Sequence, residues 1–291
     1  MKKAAVIGHP ISHSLSPEIF AYLAKTLGQE LEYSAVDVKP EELAEFIRSQ
    51  RARSELVGFN VTIPHKEKLF DLLDSVSTEA RSVGAVNVIE IKNEKWTGHN
   101  TDILGLQDSF QQTGVDLDGS TVIILGAGGA ARAAAFAVAV EGAARVVICN
   151  RNLIKAVNIA LDFNPVFSGT DFLSVSDLHD FAGESAELII QATPLGMGAS
   201  RSSGDDFVGA ELFDALLSGP PNVAYDLVYR PEETEFLRLA KQKGFSTITG
   251  LSMLIGQALA TWEIWFNPIP NRDEIFRALS ERVRTKLAAG K

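Results

Sequence analysis

A chain of 291 residues that is 46% apolar, 22% charged and 8% aromatic has ordinary globular composition, which excludes collagen-like, coiled-coil and disordered chains. At roughly 100 to 200 residues per domain, the length fits two domains. The net charge of -10 argues against a nucleic-acid or anionic-membrane partner, so an anionic ligand must meet positive groups placed for it.

Cys149 is the single cysteine and cannot form an internal disulfide, which points to a reducing, cytoplasmic setting. Met1-Lys2-Lys3 runs into a strand-like stretch that Gly8-His9-Pro10 interrupts, too short for a signal-peptide core, so no export is expected. The longest apolar stretch, Ala133 to Val140, falls far short of the roughly 20 residues that span a bilayer. A soluble protein with no membrane partner is expected.

Beta-branched runs alternate with helix-period runs, the pattern of parallel strands joined by helical crossovers, so the expected fold class is α/β. Ala4 to Gly8 reads as a strand. The helix after it takes Ser16 as its cap and Pro17 as its first position, with Gly28 just past its end. Strands follow at Glu32 to Val38, Leu56 to Ile63 and Val86 to Ile91, with helices at Pro40 to Ser49 and His65 to Leu73. A second series opens at Thr121 with the buried strand Val122 to Leu125, then a helix through about Val140. Its further strands are Val146 to Cys149, Leu188 to Ala192, Val223 to Val228 and Ser246 to Ile248. After Gly250 the chain is wholly helical, Leu251 to Phe266 and Asp273 to Ala289, and helices without strands of their own are expected to return to the first domain. The expected domains are therefore residues 1–104 with 250–291, and a more acidic middle domain, 105–249.

Gly126, Gly128 and Ala131 match the G-x-G-x-x-G/A fingerprint, with a strand before and a helix after, as a dinucleotide site of the Rossmann type requires. One glycine permits the tight turn, the next lets backbone approach the pyrophosphate, and Gly129 and Ala130 begin the helix whose free N–H groups favour an anion. About 20 residues on, where a carboxylate would select NAD, the chain reads Cys149-Asn150-Arg151, with Lys155 a turn beyond. Arg151 can clamp a 2′-phosphate bidentately and Lys155 can add a point charge, so NADP is the expected cofactor, with Asn150 beside them. An ordinary solvated pair at a helix start is the bland alternative. Cys149 reads as buried strand filler.

In the first domain, Ser12, Ser14 and Ser16 lie between a strand end and a Pro-started helix, where hydroxyls and free N–H groups suit a carboxylate. Ser16 has the competing role of helix cap, so chemistry favours Ser14. Asn60 to Lys66 delivers polar residues at alternate positions and then a lysine, a residue that is usually solvated in such a place. Ala85-Val86-Asn87 and Asn100-Thr101-Asp102 flank a hairpin turning near Asn93-Glu94-Lys95. A lysine at a strand end and an aspartate at the domain hinge would make a proton-transfer pair beside a hydride acceptor, the pattern of an NADP-dependent reductase of a small polar acid.

Taken together, these segments resemble the shikimate dehydrogenase family over nearly the whole chain. The motifs are Ile7 to Pro17, Asn60 to Lys66, Gly84 to Asn87, Asn100 to Asp102, Gly126 to Ala133, Asn150-Arg151, Ala192 to Met197, Asp226 to Tyr229 and Met253 to Ala258. The resemblance implies reversible NADPH-dependent reduction of 3-dehydroshikimate to shikimate, on the route to chorismate and the aromatic amino acids. It implies Lys66 and Asp102 as the catalytic pair. It implies Ser14, Ser16, Thr62, Asn87, Tyr229 and Gln257 as substrate ligands, with Asn60 structural, and Thr193, Met197, Leu227 and Gly250 along the nicotinamide. Three positions depart from the family pattern: Phe20-Ala21 replaces a His-Asn pair, Val88 follows Asn87 where a threonine is usual, and Trp265-Phe266-Asn267 replaces Trp-x-Gly. The first is expected to alter helix packing, the second to bear on substrate preference. Alternative readings are a quinate/shikimate dehydrogenase or another paralogue acting on a cyclohexane acid, and a non-catalytic NADP-sensing module. The expected partners are the small molecules alone, with no nucleic acid and no membrane, and the chain is expected to be a monomer or a homodimer.

Overall fold

The computed structural model describes residues 1–177, 185–196 and 223–289. One compact unit comprises Met1–Gly105 and Ile255–Lys286, and a second is built on Leu106–Leu254. Among the described residues no helix is long and apolar enough to cross a membrane.

The first unit holds β1 (Lys2–Gly8), α1 (Ser16–Thr26), β2 (Leu31–Asp37), α2 (Leu43–Gln50), β3 (Leu56–Val61), β4 (Ser75–Val76), α3 (Thr78–Val83), β5 (Val88–Lys92) and β6 (Lys95–His99). Its sheet runs β2-β1-β3-β5-β6-β4. The expected parallel pattern holds only for part of it, because β5 pairs antiparallel with both β3 and β6. The reason is the β5–β6 hairpin: Asn93 and Glu94 take positive φ and reverse the chain within two residues, which only antiparallel strands permit. On one face Phe59, Val61, Leu69, Val86 and Ile89 pack together, so period-two alternation turns Asn60 to the other face.

Two local expectations need correction. His65 to Leu73 is not a helix; only Phe70–Leu72 forms a short 3-10 turn. The Lys66 carbonyl, which a helix would offer to the N–H four residues on, instead accepts from Val86 N–H at 2.8 Å. His65 is likewise committed, its Nε2 lying 2.7 Å from the Val38 carbonyl oxygen. Nor does Ser16 cap α1: the cap position is Leu15, Ser16 is the first helical residue, and its N–H donates to Ser14 Oγ at 3.2 Å.

The second unit carries β7 (Thr121–Leu125), α5 (Gly129–Val140), β8 (Arg145–Cys149), α6 (Leu153–Phe163), β9 (Asp171–Val175), β10 (Leu188–Gln191), β11 (Val223–Asp226), α7 (Glu235–Gln242) and β12 (Ser246–Thr249). The sheet order β12-β11-β10-β7-β8-β9, parallel throughout, is the doubly wound dinucleotide-binding order. It reverses between β7 and β10, where ligands of such sheets bind. Ala131, Ala133, Ala134, Ala135 and Ala137 of α5 are fully buried, and these small side chains let the helix lie close on the sheet. The helix α4 (Asp102–Thr113) leads into this unit, α8 (Leu251–Trp265) leads out of it, and α9 (Arg272–Ala289) follows.

Candidate active site

Three segments of the first unit meet where β3 and β6 end and β5 begins, side by side. Asn87 N–H donates to His99 O at 3.0 Å and Asn87 O accepts from Val61 N–H at 2.8 Å, so Asn87 is stitched between β3 and β6. Asn100 Nδ2 donates to Ala85 O at 2.9 Å while its Oδ1 accepts Asp102 N–H at 3.0 Å, which pins the first turn of α4. The result sets Lys66 Nζ 2.5 Å from Asp102 Oδ2, with the carboxylate 5% exposed and the lysine 17%. Asn87 Nδ2 donates to the other carboxylate oxygen at 2.8 Å. The usually solvated lysine is thus held by a buried carboxylate whose second oxygen is also committed.

The other polar groups of this unit extend from there. Thr101 Oγ1 lies 3.1 Å from Asn87 Nδ2 and 3.2 Å from Thr261 Oγ1 on α8. Asn60 Nδ2 donates to Thr261 Oγ1 at 3.2 Å, and its Oδ1 accepts from Tyr33 OH at 2.7 Å. Burial pushes the Tyr33 hydroxyl well above the ordinary tyrosine range, a hydrogen bond with Ser16 drawing it weakly back, so Tyr33 remains a donor. Phe20 stacks on Tyr33 at 4.3 Å between centroids and 4° between planes, and Trp265 closes on both rings, so the Phe20 departure is a packing change. Thr62 stands one residue beyond β3, half-buried, and Gln257 is half-buried on α8, its carbonyl accepting the Thr261 hydroxyl at 2.8 Å.

In the second unit, Gly126 takes φ +113° between β7 and α5, and a Cβ there would sit 3.0 Å from Thr193 Cγ2 after β10. A Cβ on Gly128 would meet nothing within 4 Å, and as the N-cap residue it offers no side-chain cap, so among the described residues the first N–H groups of α5, from Gly129 and Ala130 on, suit a ligand. These features fit a pyrophosphate at the switch point. Arg151 and Lys155 are exposed at the start of α6, and Asn150 Nδ2 donates to the Asn152 carbonyl at 2.8 Å, which shapes the turn that carries them. Thr193 is fixed through its N–H and hydroxyl, each 2.9 Å from Gln191 Oε1. Gly250 is held against the Leu227 carbonyl, 2.2 Å from where a Cβ would stand. Tyr229 follows β11 on a loop whose base is Asp226: burial pushes this carboxyl up to about 7, while the Thr234 hydroxyl at 2.5 Å and the Val228 N–H at 2.9 Å draw it down. Met197 lies outside the described residues.

The shikimate dehydrogenase substrate binding domain family matches residues 6–89, and the shikimate / quinate 5-dehydrogenase family matches residues 108–195. The chain is 38% identical over 271 residues to the shikimate dehydrogenase (NADP(+)) of Carboxydothermus hydrogenoformans, covering 92% of this chain and 93% of that one. The chain belongs to the shikimate dehydrogenase family. The enzyme of the same name from Symbiobacterium thermophilum is 39% identical over 265 residues, covering 90% and 87% of the two chains. Among solved structures, shikimate 5-dehydrogenase of Thermus thermophilus in complex with NADP(H) and shikimate superposes with a TM-score of 0.80 at 35% identity, over 97% of this chain and 99% of that one.

Three residues prominent in this geometry were not singled out from the sequence, Tyr33, Thr261 and Gln191, and Asp226 was named only as the start of the Asp226 to Tyr229 motif, with no role given to it. Tyr33 and Thr261 sit in strand and helix patterns that any core residue fits. Gln191 and Asp226 end buried strands, and a polar residue at that position was the available signal.

Proposed function

We propose that this chain reduces 3-dehydroshikimate reversibly to shikimate with NADPH, residues 1–104 and 250–291 binding the substrate and residues 105–249 the cofactor. The observation that carries the reading is the buried contact of Lys66 with Asp102, backed by Asn87. When bound, NADPH supplies the hydride to the C3 carbonyl carbon of the substrate. Lys66 protonates the oxygen that becomes the alcohol, and on the reverse path takes that proton back. Asp102 keeps the ammonium aimed and stabilises its charge, and Asn87 keeps the carboxylate from turning. Ser14 and Ser16 hold the substrate carboxylate, and Thr62, Asn87, Tyr229 and Gln257 hold its hydroxyls. Gly126, Gly128, Gly129 and Ala130 would cradle the pyrophosphate, Asn150, Arg151 and Lys155 the adenosine 2′-phosphate, and Thr193, Met197, Leu227 and Gly250 the nicotinamide end.

The test is a matrix of initial rates, shikimate and quinate each with NADP+ and NAD+. Turnover of shikimate with NADP+ well above the other three combinations supports the reading. Preference for quinate would move the chain to the related paralogue, and no turnover of either acid would refute it.

A further inference from the structure

Resting on the functional reading above, we infer that Thr261 is a positioning residue for the proton-transfer pair, acting through Thr101 and Asn87. Hydrogen counting and the distances together give each bond between them a direction. Thr101 N–H can only donate, so the Asn87 atom 2.7 Å from it must be Oδ1, and Asn87 Nδ2 must face Thr101 Oγ1 and Asp102 Oδ1. Thr101 Oγ1 accepts from that amide at 3.1 Å, so its own hydrogen needs another acceptor. Thr261 Oγ1, at 3.2 Å, is better placed than Asn87 Oδ1 at 3.4 Å, which already takes the Thr101 N–H. The Thr261 hydrogen goes to the Gln257 carbonyl, 2.8 Å away, which leaves Thr261 Oγ1 as acceptor for both Thr101 and Asn60. Asn60 in turn is oriented by the protonated Tyr33.

Thr261 Oγ1 is therefore where two lines of donors end. Asn60, Asn87, Thr101 and Thr261 are all buried, so no bulk solvent stands ready to replace a lost partner. Removing the Thr261 hydroxyl strands the Thr101 hydrogen, whose nearest alternative draws Thr101 toward Asn87 Oδ1 and away from the Asn87 amide. The amide then loses the acceptor that keeps its second hydrogen on Asp102. Among the described residues no hydrogen bond joins Thr261 directly to Lys66 or Asp102, and its effect passes through the orientation of Asn87.

The experiment compares wild type, Thr261→Val, Thr261→Ser and Lys66→Ala, with two readouts. For shikimate oxidation, Thr261→Val should lower kcat/KM by about tenfold, the worth of roughly one buried hydrogen bond, with the KM for NADP+ unchanged. Thr261→Ser should stay within about threefold of wild type because it keeps the hydroxyl. By NMR, exchange of the Asn87 side-chain amide protons should speed up in Thr261→Val and return toward wild type in Thr261→Ser. A Thr261→Val enzyme with normal kcat/KM and normal Asn87 exchange overturns the inference, as does a serine variant as impaired as the valine one. If wild type and Lys66→Ala are equally inactive on shikimate, the functional reading fails, and the Asn87 exchange alone decides the role of Thr261.

Discussion

Gly58 in the middle of β3 is where the first unit's packing leaves least room. A Cβ there would stand 2.1 Å from the Ile89 carbonyl oxygen and 2.2 Å from Trp265 Nε1, between the two ends of a hydrogen bond of 3.0 Å. Neither neighbour yields easily, since Ile89 is paired within the sheet and the Trp265 indole is nearly buried against Phe20 and Tyr33. In Gly58→Ala the lost indole bond costs about 1–3 kcal/mol and the overpacking a similar amount. The lower entropy of the unfolded chain returns about 0.4–1 kcal/mol. A net loss of about 2–5 kcal/mol follows, or a Tm lowered by about 5–15 °C in calorimetry. Gly28→Ala is the control: φ is +66° but nothing lies within 4 Å, so it costs only the left-handed backbone term of about 1–2 kcal/mol, less the same entropy return. In a Trp265→Phe background, which removes Nε1, the cost of Gly58→Ala should shrink by more than about 1 kcal/mol. Equal losses at Gly58 and Gly28, or strict additivity with Trp265→Phe, would refute the steric account.

Arg151→Ala should raise the KM for NADP+ by the equivalent of roughly 1.5–3 kcal/mol, the worth of a hydrogen bond to a charged group, with little change for NAD+. Equal losses with both cofactors in steady-state kinetics would remove the phosphate-clamp role. Ser14→Ala should mainly raise KM for shikimate, because a contact remote from C3 binds ground and transition states alike; lower stability at unchanged KM would reduce Ser14 to its bond with Ser16 N–H. Asp226 makes stability depend on pH in the sense opposite to an ion-paired carboxylate. Its folded-state pKa, about 7, lies above the ordinary 3.8, so the native state holds a proton the unfolded chain has released, and stability falls as pH rises through that window. Asp226→Asn keeps the hydrogen-bonding shape without the charge, so its Tm relative to wild type should rise between pH 4 and 8; a difference independent of pH would contradict the buried-acid reading.

Some of this architecture was legible because single residues impose it. Gly126 must follow a strand and open a helix, and its positive φ is what a glycine at that turn provides. The β5–β6 turn was legible from Asn93 and Glu94. The helix expected over His65 to Leu73 failed because its periodicity was overruled by one distant partner, the Val86 N–H on the Lys66 carbonyl. That contact sets the chain entering Lys66, so the error in local structure and the placing of the lysine share a cause. The short helix α3 carried its signals openly, with Ser77 accepting the Ala80 N–H and Gly84 at φ +72°, but six residues give too little periodicity to announce it. The network through Tyr33, Asn60 and Thr261 was not legible, since Asn60 and Thr261 are 201 positions apart and nothing local marks either threonine or tyrosine as polar core.

The central claim is that Lys66 and Asp102 move the proton, and kcat with independently measured binding tests it most directly. Lys66→Ala and Asp102→Asn should each lower kcat for shikimate oxidation by about 10²-fold or more, with calorimetric affinities for shikimate and NADP+ retained. The double variant should lose far less than the product of the two single losses, because the pair acts as one unit. A near-normal kcat in either single variant would contradict the account.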